Sequence, residues 1–171
     1  MFAGLIMPVV RHALLEEYEI AAAMTVEAFR QFEPLMAPGL WPEMEKSVSA
    51  TTQLRNGGEL LVALEEGALL GSVVYCAPGA MKQDRFPEDW AFMRVLAVPP
   101  RHRKRGAARA LVKACLDLAR SDGVETFGLH TNEAMNEARA LYEAMGFERI
   151  REIPRIYGFR YWIYSLSLSS G

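Results

Sequence analysis

Three features of the sequence predict an α/β (α+β) fold built on a mixed, mostly antiparallel central sheet of about seven strands, with about four helices. Segments with strand or helix periodicity follow one another as strand, two helices, three strands, helix, strand, helix, two strands. Glu65-Glu66-Gly67 joins two of the strands as a tight hairpin. Finally, Val95-Leu96-Ala97-Val98 runs through Pro99-Pro100 and a basic loop into a helix, and the strand after that helix completes a β-α-β crossover. A crossover of this kind places its two strands parallel.

Residues 9–13 form a short strand. Residues 14–32 are helical, with Tyr18, Ala22, Thr25 or Val26, Phe29 and Phe32 on one face and Glu16, Glu19, Glu27 and Arg30 on the other. Pro34 and Pro38-Gly39 end that helix. Trp41-Pro42-Glu43 opens a second, running to about Arg55 and stopped by Asn56-Gly57-Gly58. Residues 59–64 and 68–76 make the hairpin, 77–89 a loop, and 91–98 the next strand. Beyond Gly106, the spacing of Ala108, Leu111, Cys115, Leu118 and Ala119 gives a helix that ends at Ser121-Asp122-Gly123. A strand follows over 125–131. Met135, Ala138, Leu141 or Tyr142 and Met145 then return to helical spacing, with Gly146 at the C′ position. Strands over 147–152 and 157–168 finish the sheet, with Ile153-Pro154-Arg155 as the turn between them.

A chain of 171 residues, 51% hydrophobic and 23% charged, has the composition of one globular domain. We place it at residues 8–171, after a loose N-terminal extension over 1–7. Cys76 and Cys115 sit in apolar contexts with no metal-type spacing to His12, His102 or His130, so they read as buried reduced thiols and no metal site is expected. No apolar run approaches the ~20 residues that cross a bilayer, and residues 2–10 lack the basic start of a signal peptide. A cytoplasmic protein without membrane contact is expected. The net charge of −2 argues against a general nucleic-acid binder. It is unevenly spread: residues 1–66 hold 10 acids and 4 bases, the rest 11 acids and 15 bases. That asymmetry suits an anionic cofactor and hints at a cationic acceptor.

The chemistry centres on the stretch from Phe92 to Ala108. Five basic or imidazole side chains, Arg101 to Arg105, precede a helix opened by Gly106-Ala107-Ala108. Cations at a helix N-terminus oppose the macrodipole, and the first amides there lack partners, so the arrangement calls for an anion. The small residues let a phosphate approach those amides. A solvated loop or a nucleic-acid patch would account for the cations but not for the small residues.

These residues also resemble a family. Arg103-Lys104-Arg105-Gly106-Ala107-Ala108 is similar to the R/Q-x-x-G-x-G/A motif of the GNAT N-acetyltransferases, and Leu96-Ala97-Val98-Pro99 looks like the strand before it. Residues 138–147, ARALYEAMGF, resemble the A-x-x-L-Y-x-x-x-G-F segment of the same family. The resemblance runs from about Pro8 onward. It implies that the parallel strands splay to admit acetyl-CoA as cosubstrate. The backbone from Lys104 to Ala108 would hold the pyrophosphate, Arg103 and Arg105 would add charge, and Leu96, Ala97 and Val98 would pair with the pantetheine arm.

It further implies that Tyr142 acts as general acid toward the departing thiolate. The acid that several members carry before the cofactor loop aligns here with Phe92, which cannot serve as a base. His130 is the candidate base, and a water chain to Glu33 the fallback. The family asparagine falls on Met135, leaving Asn136 or Asn132 for the cofactor contact. Both asparagines are also good helix N-caps. Phe32, Trp41 and Phe92 are candidate acceptor-pocket residues, and the terminal aromatics Tyr157, Phe159, Tyr161 and Trp162 could line that pocket or form a homodimer edge.

The expected function is transfer of an acetyl group to a primary amine of a small molecule, a protein N-terminus or a lysine, by direct transfer in a ternary complex. The alternatives are a non-catalytic acyl-CoA-binding sensor of the same fold, or a nucleic-acid-binding module using Arg101 to Arg105. The last would bind with a steep salt dependence.

Overall fold

The computed structural model describes residues 7–169. Of the N-terminal extension expected over 1–7, all but Met7 lies outside the described residues. Seven strands form one sheet in the order β1-β2-β3-β4-β5-β7-β6. They are β1 Val9–His12, β2 Glu59–Glu65, β3 Ala68–Cys76, β4 Ala91–Ala97, β5 Thr126–Asn132, β6 Glu148–Ile156 and β7 Phe159–Ser167. The helices are α1 Tyr18–Phe29, α2 Trp41–Thr52, α3 Ala107–Ser121 and α4 Asn136–Ala144. Short 3-10 turns extend α1 at both ends, over Leu15–Glu17 and Arg30–Leu35.

The period-2 alternation of each strand divides the core between two faces. On one, Leu60, Val62, Val74, Phe92 and Ile163 pack against Ala21, Ala28, Phe29, Met44 and Val48 of α1 and α2. On the other, Leu61, Val73, Met93, Phe127 and Leu129 pack against Leu111, Cys115 and Ala119 of α3 and Tyr142 of α4. Both cysteines are buried and unpaired, as read from the sequence, and burial pushes both thiols up, Cys76 to about 11.

All strand pairs are antiparallel except β4 and β5, the two strands of the crossover. These pair only at Ala91–Phe127 and Phe92–Gly128, whereas β5 goes on pairing with β7 through Asn132. The sheet therefore opens beyond Phe92. Gly128 is the last residue before the opening. A Cβ there would lie 2.9 Å from ring atoms of both Phe86 and Trp90, so only glycine lets the 77–89 loop lie against β5.

The end of the chain departs from expectation. Pro154 does not turn the chain: β6 runs straight through it, with a register irregularity between Ile153 and Ile156, and the hairpin turns at Tyr157-Gly158 (φ 54° and 82°). β6 is the sheet edge, where a missing backbone donor is tolerated. β7 lies inside the sheet between β5 and β6, so the terminal aromatics are not a dimer edge. The exposed edge instead carries Glu148, Arg149, Arg151, Glu152 and Arg155, the charged pattern that discourages strand pairing between molecules.

Candidate active site

The gap between β4 and β5 opens into a cleft of about 800 Å³ that reaches through the sheet, with Tyr142 and Leu141 on one face and Phe29, Phe32, Arg94 and His130 on the other. Two backbone irregularities shape its wall. Between Ser72–Ala97 and Val74–Arg94, β4 contains one residue more than β3, and Val95 sits at φ 48°. A β-branched residue in the left-handed region is a strained outlier of the kind found at bulges beside functional sites. The sequence, an unbroken apolar run, gave no sign of this bulge. The second irregularity is Lys104, also left-handed at φ 63°.

Gly106 caps α3 at φ 82°, and no side chain caps the helix. A Cβ on it would meet nothing nearer than Pro8 Cδ at 3.8 Å, so it is the left-handed φ rather than crowding that favours glycine here. Of the basic run, His102, Arg103 and Lys104 line the cleft, as do Gly106, Ala107 and Ala108. Arg103 is partly spent on the backbone: its Nε donates to the Val98 carbonyl at 3.2 Å. Arg105, expected to add charge, turns instead to Glu65 at 3.0 Å and does not line the cleft. Arg109, one helical turn further on, lines it in its place. The i+3 spacing from Gly106 on a helix was the available signal, and the sequence reading missed it.

Tyr142 is buried, lines the cleft and packs near Phe147 and Tyr164. Burial raises its phenol well above the usual range, so it stays protonated. His130 also lines the cleft, with its Nδ1 buried and without a hydrogen-bond partner. Burial first, then the Arg85 and Arg94 charges, push it down to about 3. It is thus neutral at pH 7 and a weak proton acceptor, which counts against the role of base. Glu33 is exposed, pairs with Arg30 at 3.3 Å and does not line the cleft.

Asn136 is the first residue of α4 and lines the cleft, where its Oδ1 accepts from Arg139. Asn132 is buried, and its Oδ1 accepts from the Ala134 amide at 2.9 Å in an Asx turn. Neither caps α4, whose N-cap is Met135. Of the acceptor-pocket candidates, Phe32 lines the cleft, as do Tyr157 and Tyr161 of the terminal aromatics, whereas Trp41, Phe92, Phe159 and Trp162 do not. Trp41, the first residue of α2, is buried with the Arg30 guanidinium 5.1 Å from its ring centre, and Phe92 stacks on Phe86 at 4.6 Å, so packing absorbs both. Among the described residues no cluster of three or more His, Cys, Asp or Glu could hold a metal, and no helix is long and apolar enough to cross a membrane.

A sheet splayed beside a glycine-capped helix is a fold with solved counterparts. An N-acetyltransferase (paia) from Thermoplasma acidophilum, solved in complex with coenzyme A, superposes with a TM-score of 0.74 over 95% of this chain and 99% of its own, at 12% identity. The chain belongs to the acetyltransferase (GNAT) family, whose sequence model matches residues 22–147. A mouse member 5 of N-acetyltransferase family 8 is 36% identical over 73 residues, covering 43% of this chain and 32% of the relative. N-alpha-acetyltransferase 30 of Schizosaccharomyces pombe is 30% identical over 110 residues, covering 60% of this chain and 69% of its own. The chain thus spans about a third of the mouse relative's length.

Proposed function

We propose that the protein is an acetyl-CoA-dependent N-acetyltransferase that acetylates a primary amine by direct attack in a ternary complex. The observation that carries this reading is the parting of β4 from β5 in the same cleft as the start of a Gly106-headed helix that no side chain caps. It offers an unpaired strand edge and a cradle of free amides to one elongated anionic molecule.

The residues present fit that molecule. Lys104 to Ala108 would hold the pyrophosphate by their amides, with Lys104, Arg103 and Arg109 supplying charge. The β4 edge from Leu96 to Val98 would hydrogen-bond the pantetheine arm. Asn136, which lines the cleft, would contact the cofactor. When bound, acetyl-CoA supplies an acetyl thioester whose thiol has a reference pKa near ~8.5. Tyr142, kept protonated by burial, is the proton donor to the leaving sulfur. His130, neutral in the cleft wall, accepts a hydrogen bond from the incoming amine and aims it. The amine itself sheds its proton to water, helped by the same desolvation that depresses His130. Phe32 contributes apolar wall on the acceptor side.

The test is calorimetric titration of acetyl-CoA into the wild type and Gly106→Glu, followed by thiol release with a panel of amines. Binding by the wild type alone, with amine-dependent thiol release, is the expected result. No heat with either protein would sink the reading.

A further inference from the structure

The acceptor side of the cleft carries an unbalanced charge. Arg94 lies on β4 immediately before the bulge, and His130 on β5 would stand level with it had the pairing of Phe92 with Gly128 continued two residues further. Both line the cleft together with Arg85, and all three also line a smaller neighbouring cavity of about 450 Å³ under the 77–89 loop. Arg94 is half-buried, and its one side-chain hydrogen bond runs from Nη1 to the Met81 thioether at 3.4 Å, a weak acceptor. Arg85 is half-buried as well, and its carbonyl accepts from Arg151, which brings a third guanidinium near. Among the described residues neither Arg85 nor Arg94 forms a salt bridge.

Among the described residues no carboxylate pairs with either arginine. Glu137 is the cleft's one carboxylate, and it lies at the opposite end within 3.9 Å of Arg103. Asp84 borders the smaller cavity but is exposed and pairs with neither arginine. None of the acids over residues 1–66, whose excess suggested a cationic acceptor, lines the cleft, and several are engaged elsewhere: Glu17 with Arg11, Glu27 with Arg101, Glu59 with His12, Glu65 with Arg105. Like charges crowded into a half-buried pocket repel each other and lose hydration, and a bound oxyanion relieves both effects. The cofactor's phosphates are not that oxyanion. About 13 Å of strand separates Arg94 from Val98 and the loop beyond it.

We infer that the acceptor is a small molecule carrying a primary amine and an oxyanion, carboxylate or phosphate, with the oxyanion seated between Arg85 and Arg94. This deepens the N-acetyltransferase reading and rests on it. The oxyanion end fixes the molecule against β4 and the 77–89 loop, leaving its amine to face the β4–β5 gap beside His130. A polyamine or a lysine on a basic surface meets only repulsion there.

The experiment measures thiol release with acetyl-CoA and matched acceptors: free amino acids, the same amino acids as carboxamides, phosphoethanolamine, and spermidine. The acids are expected to exceed their carboxamides at least tenfold in kcat/KM, with spermidine inert; phosphoethanolamine against the amino acids tells phosphate from carboxylate. Arg94→Met and Arg85→Met should collapse the acid-to-carboxamide ratio toward one through KM. Their acetyl-CoA Kd, measured by calorimetry, should be unchanged, which also certifies that they fold. A preferred acid should raise the Tm of the cofactor-free wild type and not of Arg94→Met. Carboxamides as good as acids, a ratio unmoved in both variants, or activity confined to spermidine would overturn the inference. So would acetyl-CoA binding with no oxyanion-bearing amine acetylated, an outcome that leaves the transferase reading standing. Absence of acetyl-CoA binding would remove both.

Discussion

Arg101 meets Glu27 through two parallel bonds, Nε and Nη2 donating to Oε1 and Oε2 at 2.9 and 3.1 Å. The contact holds the Glu27 carboxyl below its ordinary range and ties the basic loop to α1. Together with Arg105 on Glu65, it withdraws two of the four cations of the run from any incoming polyanion. A nucleic-acid surface needs such charges free along one face, and here acids neutralise them. What is left of the run to line the cleft is His102, Arg103 and Lys104, with Arg109 beside them.

Charge reversal should therefore discriminate between neighbours in the loop. Lys104→Glu or Arg109→Glu is expected to weaken acetyl-CoA binding about tenfold, and Arg105→Glu less than about twofold. Calorimetry at low and moderate salt checks this, and equal losses at all three positions would contradict the placement of Arg105.

Removing the Tyr142 hydroxyl leaves the ring packing intact. Tyr142→Phe should lower kcat about 10- to 100-fold with both KM values little changed. Because burial raises the phenol, no basic limb from Tyr142 should enter the pH–rate profile below about pH 10. Steady-state kinetics across pH 6–10 decides it.

His130 links stability to pH. Its folded-state pKa, about 3, lies below the ordinary 6.5, so the unfolded chain binds the proton more readily. The stability it contributes is complete above pH 6.5 and declines as pH falls toward 3. Between pH 7 and pH 5 the wild type should lose about 2 kcal/mol more than His130→Gln, or about 4–8 °C in Tm, measured by thermal melts at both pH values.

Gly128 is a packing constraint without a catalytic part. Gly128→Ala puts a methyl 2.9 Å from Phe86 and Trp90 and is expected to destabilise by about 2–3 kcal/mol in urea unfolding. A shift below about 0.5 kcal/mol would mean that the 77–89 loop yields more easily than its stacked rings imply.

Most of the fold was legible because periodicity and turn chemistry act locally: the Glu66-Gly67 hairpin and the α3 stripe through Leu111, Cys115 and Ala119 appear as read. Pro154 misled because a proline at a sheet edge and a proline in a turn look alike until strand order is known. Within the candidate site, the Gly106 loop and the positions of Tyr142 and His130 were visible. The Val95 bulge and the Arg85–Arg94 pair were not, since both depend on which strands part and where. The environment of His130 was equally hidden, being set by two arginines 36 and 45 residues earlier in the chain.

The seam at Ala91–Phe127 and Phe92–Gly128 is all that joins β4 to β5 by strand pairing. To one side lie β1 to β4, to the other β5, β7 and β6. With so short a seam, the two blocks are the natural units of partial unfolding, and amide exchange along β4 beyond Phe92 should be fast relative to β3. A ligand lying in the gap would then act as mortar between two halves, and its grip would be felt as cooperativity throughout the molecule.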